Sequence, residues 1–417
     1  MINWLTDWLG TTSYYEVQSL RISPEPALVD VRELIDREGN TASLLREKIQ
    51  SGLEARNAGY RVIVCCDRGV SRSNAVALGI LLASGMAYER AMKLLREKLG
   101  EIDANLGLLR DVRALFQTFP VGRSETANIL VTGASGFVGR AVVKAFESER
   151  ELVCLDRAAV DLVRDLHSLD TFVAEREIGF ILHLAHPRMR NNRSALPEAL
   201  AMTRNILEVC RLNQIGMLYL SSLTVFSGHI SREILLADST LDPRPRGLYG
   251  ETKFLCEELI RTFCENYGLR AIILRPAALY GAGMDRDSLV SKLFTAAGNG
   301  EVIRTHVYRN GPPIFDFLYV DDLVEAIRLA LELVPPTTLN VGTGVATSTY
   351  ELAWQIARIT SSHSIVETIE MDTDTSKVIA SPREAVLALG WRARTDLEAG
   401  LKEMWREACA QRSIAVP

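Results

Sequence analysis

Apolar positions change their rhythm once along this chain, and the change divides it in two. ALVDV at 27–31 and RVIVCC at 61–66 are short, β-branched apolar runs. Between them, TASLLREKIQSGLEARNAG spaces its leucines and isoleucine as one buried helix face requires. Two more helices are predicted around 73–84 and 87–99. At QTFPVGRSET, 117–126, the periodicity lapses and Pro120 and Gly122 appear, which places a domain boundary there. From Asn128 onward, strand, glycine turn, helix and strand alternate through NILVTG, VVKAFE, ELVCLD, FILHLA, MLYLSS and AIILRP. Strands alternating with helices imply a parallel sheet covered on both faces, an α/β fold. No internal repeat or low-complexity segment interrupts it.

Length agrees with two domains, because a single core stops growing at roughly 250–300 residues and the chain has 417. We assign 1–118 to a small α/β domain, 119–126 to a linker, and 127–417 to a doubly wound sheet with a smaller C-terminal substrate-binding part. With 47% hydrophobic and 24% charged residues, neither disorder nor a fibrous repeat is indicated. A net charge of -5 gives no electrostatic reason to expect nucleic acid or an acidic membrane as partner. The seven cysteines form no C-x-x-C pair and read as reduced thiols of a cytoplasmic protein. The start MINWLTDWLG has no basic segment followed by an apolar stretch, and the longest apolar run, Ala75 to Ala87, is too short to span a bilayer.

In ILVTGASGFVGRAVVKAF, Gly133, Gly136 and Gly139 stand between a strand and a helix. The first allows a tight turn, the second lets backbone approach a pyrophosphate, and the third lets helix and strand pack closely. The helix N-terminus then receives the phosphates. Asp156 closes the next strand, about twenty residues on, where a carboxylate binds the adenosine ribose hydroxyls. That favours NAD; Arg157 beside it leaves NADP possible.

TGASGFVG, LHLAH, YLSSLTVF, YGETK, LRPAALYG, DFLYVDD and LNVGTG follow one another in the order and spacing of a known pattern. Over 127–417 the chain resembles the extended short-chain dehydrogenases, the nucleotide-sugar epimerase/dehydratase family. The resemblance implies catalysis by Tyr249 and Lys253 with Ser222. It implies cofactor contacts from Gly133, Ser135, Gly136, Phe137, Val138, Gly139, Asp156, Asp161, Leu162, Leu184, Ala185, Tyr249, Lys253 and Pro276. It also implies a sugar-nucleotide substrate and a homodimer. The chemistry is coherent: Tyr249 and Lys253 lie one helical turn apart, and a phenol of pKa about 10 acts as a base only where a cation favours its anion.

Departures from the family pattern narrow the reaction. Leu223 and Thr224 stand where sugar 4,6-dehydratases carry an acidic pair, so epimerisation or ketoreduction is expected rather than dehydration. Ala199 replaces the usual Asn, Phe226-Ser227 the usual Tyr-Gly, and Phe315 the usual Arg, which alters the customary substrate contacts. His183 and His186 have no third ligand nearby and read as structural or cofactor-lining, with no metal. Asp321 and Asp322 open a helix and are taken as structural.

In the first part, an apolar strand runs into Cys66-Asp67-Arg68-Gly69-Val70-Ser71-Arg72-Ser73 and then a helix. This C-x5-R-S loop resembles that of the dual-specificity branch of the cysteine-dependent protein tyrosine phosphatases. The resemblance implies Cys66 as nucleophile, Arg72 clamping the phosphate, Ser73 steadying the thiolate and Asp36 as the acid, with Asp30 in reserve. Its partner would be a phosphate monoester. Cys65 replaces the customary His before the nucleophile, and the first strands are shortened. LVDVRE also resembles the start of a rhodanese-like sulfurtransferase domain, and a degenerate phosphate-binding module is a further alternative.

The combined expectation is a bifunctional protein, an NAD-dependent epimerase or oxidoreductase fused to a phosphatase. Its alternatives are a reductase of a non-nucleotide carbonyl compound, and a cofactor-binding sensor that regulates the first domain.

Overall fold

Val62–Cys66 is buried at all five positions, as an apolar run must be when it sits mid-sheet with both faces covered. In the computed structural model it lies between Leu9–Ser13 and Ala27–Asp30, parallel to both, with Asn3–Trp4 antiparallel on the outer edge. The structure describes residues 2–19, 24–86, 88–99, 104–116, 128–147, 152–187, 192–333 and 337–412. Two compact units emerge, Met1–Gly122 and Arg123–Pro417. The boundary and linker expected at 117–126 lie outside the described residues.

In the first unit, helix Arg72–Ala83 is apolar nearly all round and buried from Ser73 to Leu81, so it forms the centre of the core. Helix Ala42–Asn57, capped by the Thr41 hydroxyl, packs on it through paired glycines. A Cβ on Gly52 would lie 2.4 Å from Ile80, and one on Gly79 would lie 2.4 Å from Ile49. Each glycine therefore makes room for the other helix's isoleucine.

The second unit is built on a six-stranded, wholly parallel sheet. Its order is Thr337–Val341, Ala271–Pro276, Gly216–Leu220, Ile178–His183, Asn128–Thr132 and Leu152–Leu155. From Asn128–Thr132 the chain turns outward to Leu152–Leu155, then crosses back to Ile178–His183. That reversal opens a crevice at the C-terminal ends of the two strands on either side of it, where such sheets bind ligands.

A smaller lobe follows from Leu289–Gly298, Thr349–Ile359 and Leu397–Arg412, with Phe294 stacked on Trp405 at 5.9 Å. Two buried aspartates tie this part of the chain together. Asp316 accepts N–H bonds from Thr343, Gly344 and Ala380, and burial pushes its carboxyl up. Asp322 lies in the first turn of helix Val320–Ala330 but also accepts the Arg394 and Thr395 N–H groups, so it anchors a distant segment as well as facing the helix dipole. Among the described residues no helix is long and apolar enough to cross a membrane.

Candidate functional site

The glycine turn lies at the crevice, and sterics fix two of its three glycines. Gly133 has φ +74°, and a Cβ there would lie 2.7 Å from the Ala185 nitrogen across the crevice. A Cβ on Gly139 would lie 2.2 Å from the Gly133 oxygen, so only glycine lets helix Phe137–Phe146 start this close to the turn. Gly136 is the N-cap of that helix and supplies no side-chain cap. The first-turn N–H groups of Phe137, Val138 and Gly139 thus lack a side-chain cap from Gly136, as a site for a pyrophosphate requires. Arg140 braces the turn by donating to the Ser135 and Gly283 carbonyls at 2.5 and 2.7 Å.

The other residues that the resemblance implies as cofactor contacts lie at the ends of strands of this sheet or in the segments that follow them. Asp156 follows strand Leu152–Leu155, and one of its oxygens accepts from the Ala158 N–H. Asp161 accepts from Val163, while the Asn205 amide holds the Leu162 and Val163 carbonyls. Leu184 and Ala185 continue strand Ile178–His183, and the Ala185 N–H donates to the Thr132 hydroxyl at 3.3 Å. Pro276 ends its strand, buried.

His183 is also buried, placed between Thr132 and Thr203, with Nδ1 2.8 Å from the Thr132 hydroxyl. Burial first, then the nearby Lys253 and His186, depress its pKa to about 3. The ring is neutral at physiological pH and serves to orient Thr132. Among the described residues no group of His, Cys, Asp and Glu is arranged to hold a metal.

Tyr249 and Lys253 stand on helix Leu248–Tyr267, whose first turn meets the short 3₁₀ turn Leu223–Phe226. Gly250 makes this contact possible, since a Cβ there would lie 2.8 Å from the Thr224 oxygen. Ser222 caps the 3₁₀ turn directly after strand Gly216–Leu220, its hydroxyl accepting from Thr224 N–H at 3.2 Å. The Lys253 ammonium, 4% exposed, donates to the Leu220 carbonyl at 2.7 Å and lies 6.0 Å from the Tyr249 ring centre. Its charge therefore sits where it favours the Tyr249 phenolate. The His186 ring packs on Tyr249 from the crevice side, 5.1 Å between centroids.

The sequence model of the NAD dependent epimerase/dehydratase family matches residues 129–342. The chain belongs to the NAD dependent epimerase/dehydratase family. It is 26% identical over 300 residues to the GDP-6-deoxy-D-talose 4-dehydrogenase of Aggregatibacter actinomycetemcomitans, covering 69% of this chain and 99% of that protein. It is 24% identical to the UDP-glucose 4-epimerase of Rhizobium meliloti, over 67% of this chain and 96% of that one. The fold matches the UDP-glucose 4-epimerase of Thermus thermophilus, solved with NAD, at TM-score 0.60 and 24% identity, over 67% of this chain and 99% of that one. NAD is the family's cofactor, and the glycine cradle of this chain fits it: a side chain at Gly133 or Gly139 would collide with backbone.

One network in this epimerase/dehydratase site did not emerge from the motifs. Glu257, fully buried, receives Arg275 through Nε and Nη2 at 2.6–3.1 Å and the Ser221 hydroxyl on Oε1. It thereby holds the residue next to Ser222. A sequence signal existed: Tyr249, Lys253 and Glu257 recur at i, i+4 and i+8 on one helix face.

In the first unit the Cys66 sulfur lies inside its loop, accepting from Gly69 N–H at 3.2 Å while its thiol donates to the Ser73 hydroxyl oxygen at 3.4 Å. Gly69 adopts φ +72°, and a Cβ there would strike the backbone of Thr12 and Ser13 at 2.4 Å. Burial raises the Cys66 thiol's pKa, but Ser73 and the N–H groups of Ser73, Val70 and Gly69 more than offset it, leaving the thiol below its ordinary value. Cys65, facing away, is pushed up to about 12, by burial first and then by Asp30. Asp36 reaches the loop, accepting the Ser71 hydroxyl. Asp30 is paired with Arg32 at 2.7 Å instead.

Proposed function

We propose that the Arg123–Pro417 unit reversibly oxidises a hydroxyl of a nucleotide sugar, in an epimerisation or ketoreduction. The observation that carries this reading is that the helix turn bearing Tyr249 and Lys253 packs against the turn that Ser222 caps, while His186, next to the Ala185 that faces Gly133, packs on Tyr249. The names of the relatives, which include UDP- and GDP-sugar enzymes, support the substrate class. NAD, when bound, supplies the hydride acceptor. Tyr249 takes the hydroxyl proton, Lys253 holds the phenolate charge, and Ser222 hydrogen-bonds the reacting oxygen. Leu223 and Thr224 offer no acid or base for expelling water, which argues against dehydration.

The test is denaturing mass spectrometry of the purified protein for released dinucleotide, joined to a thermal-shift panel of UDP- and GDP-sugars with product analysis. NAD released on denaturation and protection by one nucleotide sugar are expected. Saturating ligand at 100 times Kd adds about 2.7 kcal/mol. Turnover of a simple carbonyl compound with NADPH, and protection by no nucleotide sugar, would overturn the reading.

For Met1–Gly122, the Cys66 geometry favours a second activity, hydrolysis of a phosphate monoester. The Cys66 thiolate attacks phosphorus as the ester P–O bond breaks, and Asp36 protonates the departing oxygen. Water then cleaves the thiophosphate bond, with Ser73 donating to the released thiolate. Phosphate release from p-nitrophenyl phosphate should fall at least tenfold in Cys66→Ser, and equal rates would exclude Cys66 as nucleophile.

A further inference from the structure

Arg72 is the residue a phosphate would need, and its three nitrogens are in three different situations. Nη1 donates to the Arg32 and Leu34 carbonyls at 2.7 and 3.3 Å, which fixes the plane of the guanidinium. Nε is buried and has no hydrogen-bond partner among the described residues. Nη2 is paired with the carboxylate of Asp67, the residue immediately after Cys66. Nε and Nη2 form the side of a guanidinium that grips two oxygens of one phosphate at once. Here one of those donors waits and the other is occupied by the chain itself. A buried donor left unmatched is costly, so the arrangement is incomplete without an anion that spans both nitrogens. Asp67 spans only one.

We propose that Asp67 is a built-in competitor for the phosphate site, which a phosphate monoester dianion enters only by displacing its carboxylate from Arg72. This rests on reading residues 66–73 as a phosphate loop. Asp67 lies at the mouth, its side chain 53% exposed, and can swing into solvent without opening the core. Arg72, pinned through Nη1, stays in place as the exchange occurs. The loop therefore binds free phosphate weakly, and a substrate gains affinity from contacts beyond its phosphate.

The full chain is tested with inorganic phosphate, read as protection of Cys66 from iodoacetamide by peptide mass spectrometry at constant ionic strength. This readout reports on the first-unit loop alone, whereas calorimetry would also register phosphate at the glycine turn of the second unit. Asp67→Asn, a near-isosteric change at an exposed position, should lower the half-protecting phosphate concentration at least tenfold, about 1.4 kcal/mol. Asp67→Ser should do the same should the amide itself pair with Arg72. Adding Arg72→Lys to Asp67→Asn should remove the gain. Protection of the wild type with no gain, or a loss, in both Asp67 variants overturns the proposal and leaves the phosphate loop standing. Absence of protection in every variant of a folded chain overturns the phosphate-loop reading and the proposal with it.

Discussion

Turnover should fall about a thousandfold in Tyr249→Phe, with NAD affinity unchanged. In the proposed reaction the phenol exchanges a proton with the substrate hydroxyl while sensing the Lys253 charge. Phenylalanine keeps the ring, its packing on His186 and the helix start, and removes the oxygen alone. Fluorescence titration with NADH separates binding from chemistry, and single-turnover hydride transfer with the substrate from the panel measures the chemical step. A loss confined to turnover places Tyr249 in the reaction. A variant retaining a tenth or more of wild-type turnover would remove Tyr249 from the proton transfer. Comparable loss of NADH binding would make it a cofactor contact.

Five of the six parallel strands were legible in the sequence, the interior ones because strands buried on both faces read as apolar runs, as AIIL and MLYL do; the sixth, Thr337–Val341, stood in the sequence only as part of LNVGTG. The glycine turn was legible because sterics leave no alternative to glycine at Gly133 and Gly139. Leu9–Ser13 was not legible: LGTTS is buried at four of five positions but two of those are threonines, which look like a loop until their sheet neighbours are known. The lobe strand Ile303–Tyr308 pairs with Val366–Met371, far along the chain, and the partner strand is exposed at four of its six positions and does not alternate. Within the site, Tyr249 and Lys253 follow from the resemblance of YGETK to the family pattern, with which their spacing on one helix agrees. The hold of Lys253 on the Leu220 carbonyl does not, since it depends on how the helix lies over the strand end. Asp67 was hidden for the same reason, because its importance lies only in where the Arg72 side chain points.

Glu257→Ala should cost the second unit about 3–5 kcal/mol, because it leaves the Arg275 guanidinium buried and unpaired. Both partners are nearly out of solvent, and three donor–acceptor contacts join them besides the Ser221 hydroxyl. A buried ion pair is a weak source of net stability when compared with an apolar pair, so the size of this loss comes from the orphaned charge. Glu257→Ala combined with Arg275→Leu should therefore recover much of what the single change loses. Hydrogen exchange in strand Ala271–Pro276 reports on this unit separately from the first and measures its opening free energy. Turnover should fall as well, although Glu257 is not placed to touch substrate, since it fixes Ser221 and with it the turn that aims Ser222. A double variant as unstable as the single one would refute the orphaned-charge account. A stable single variant would show that Arg275 finds another partner.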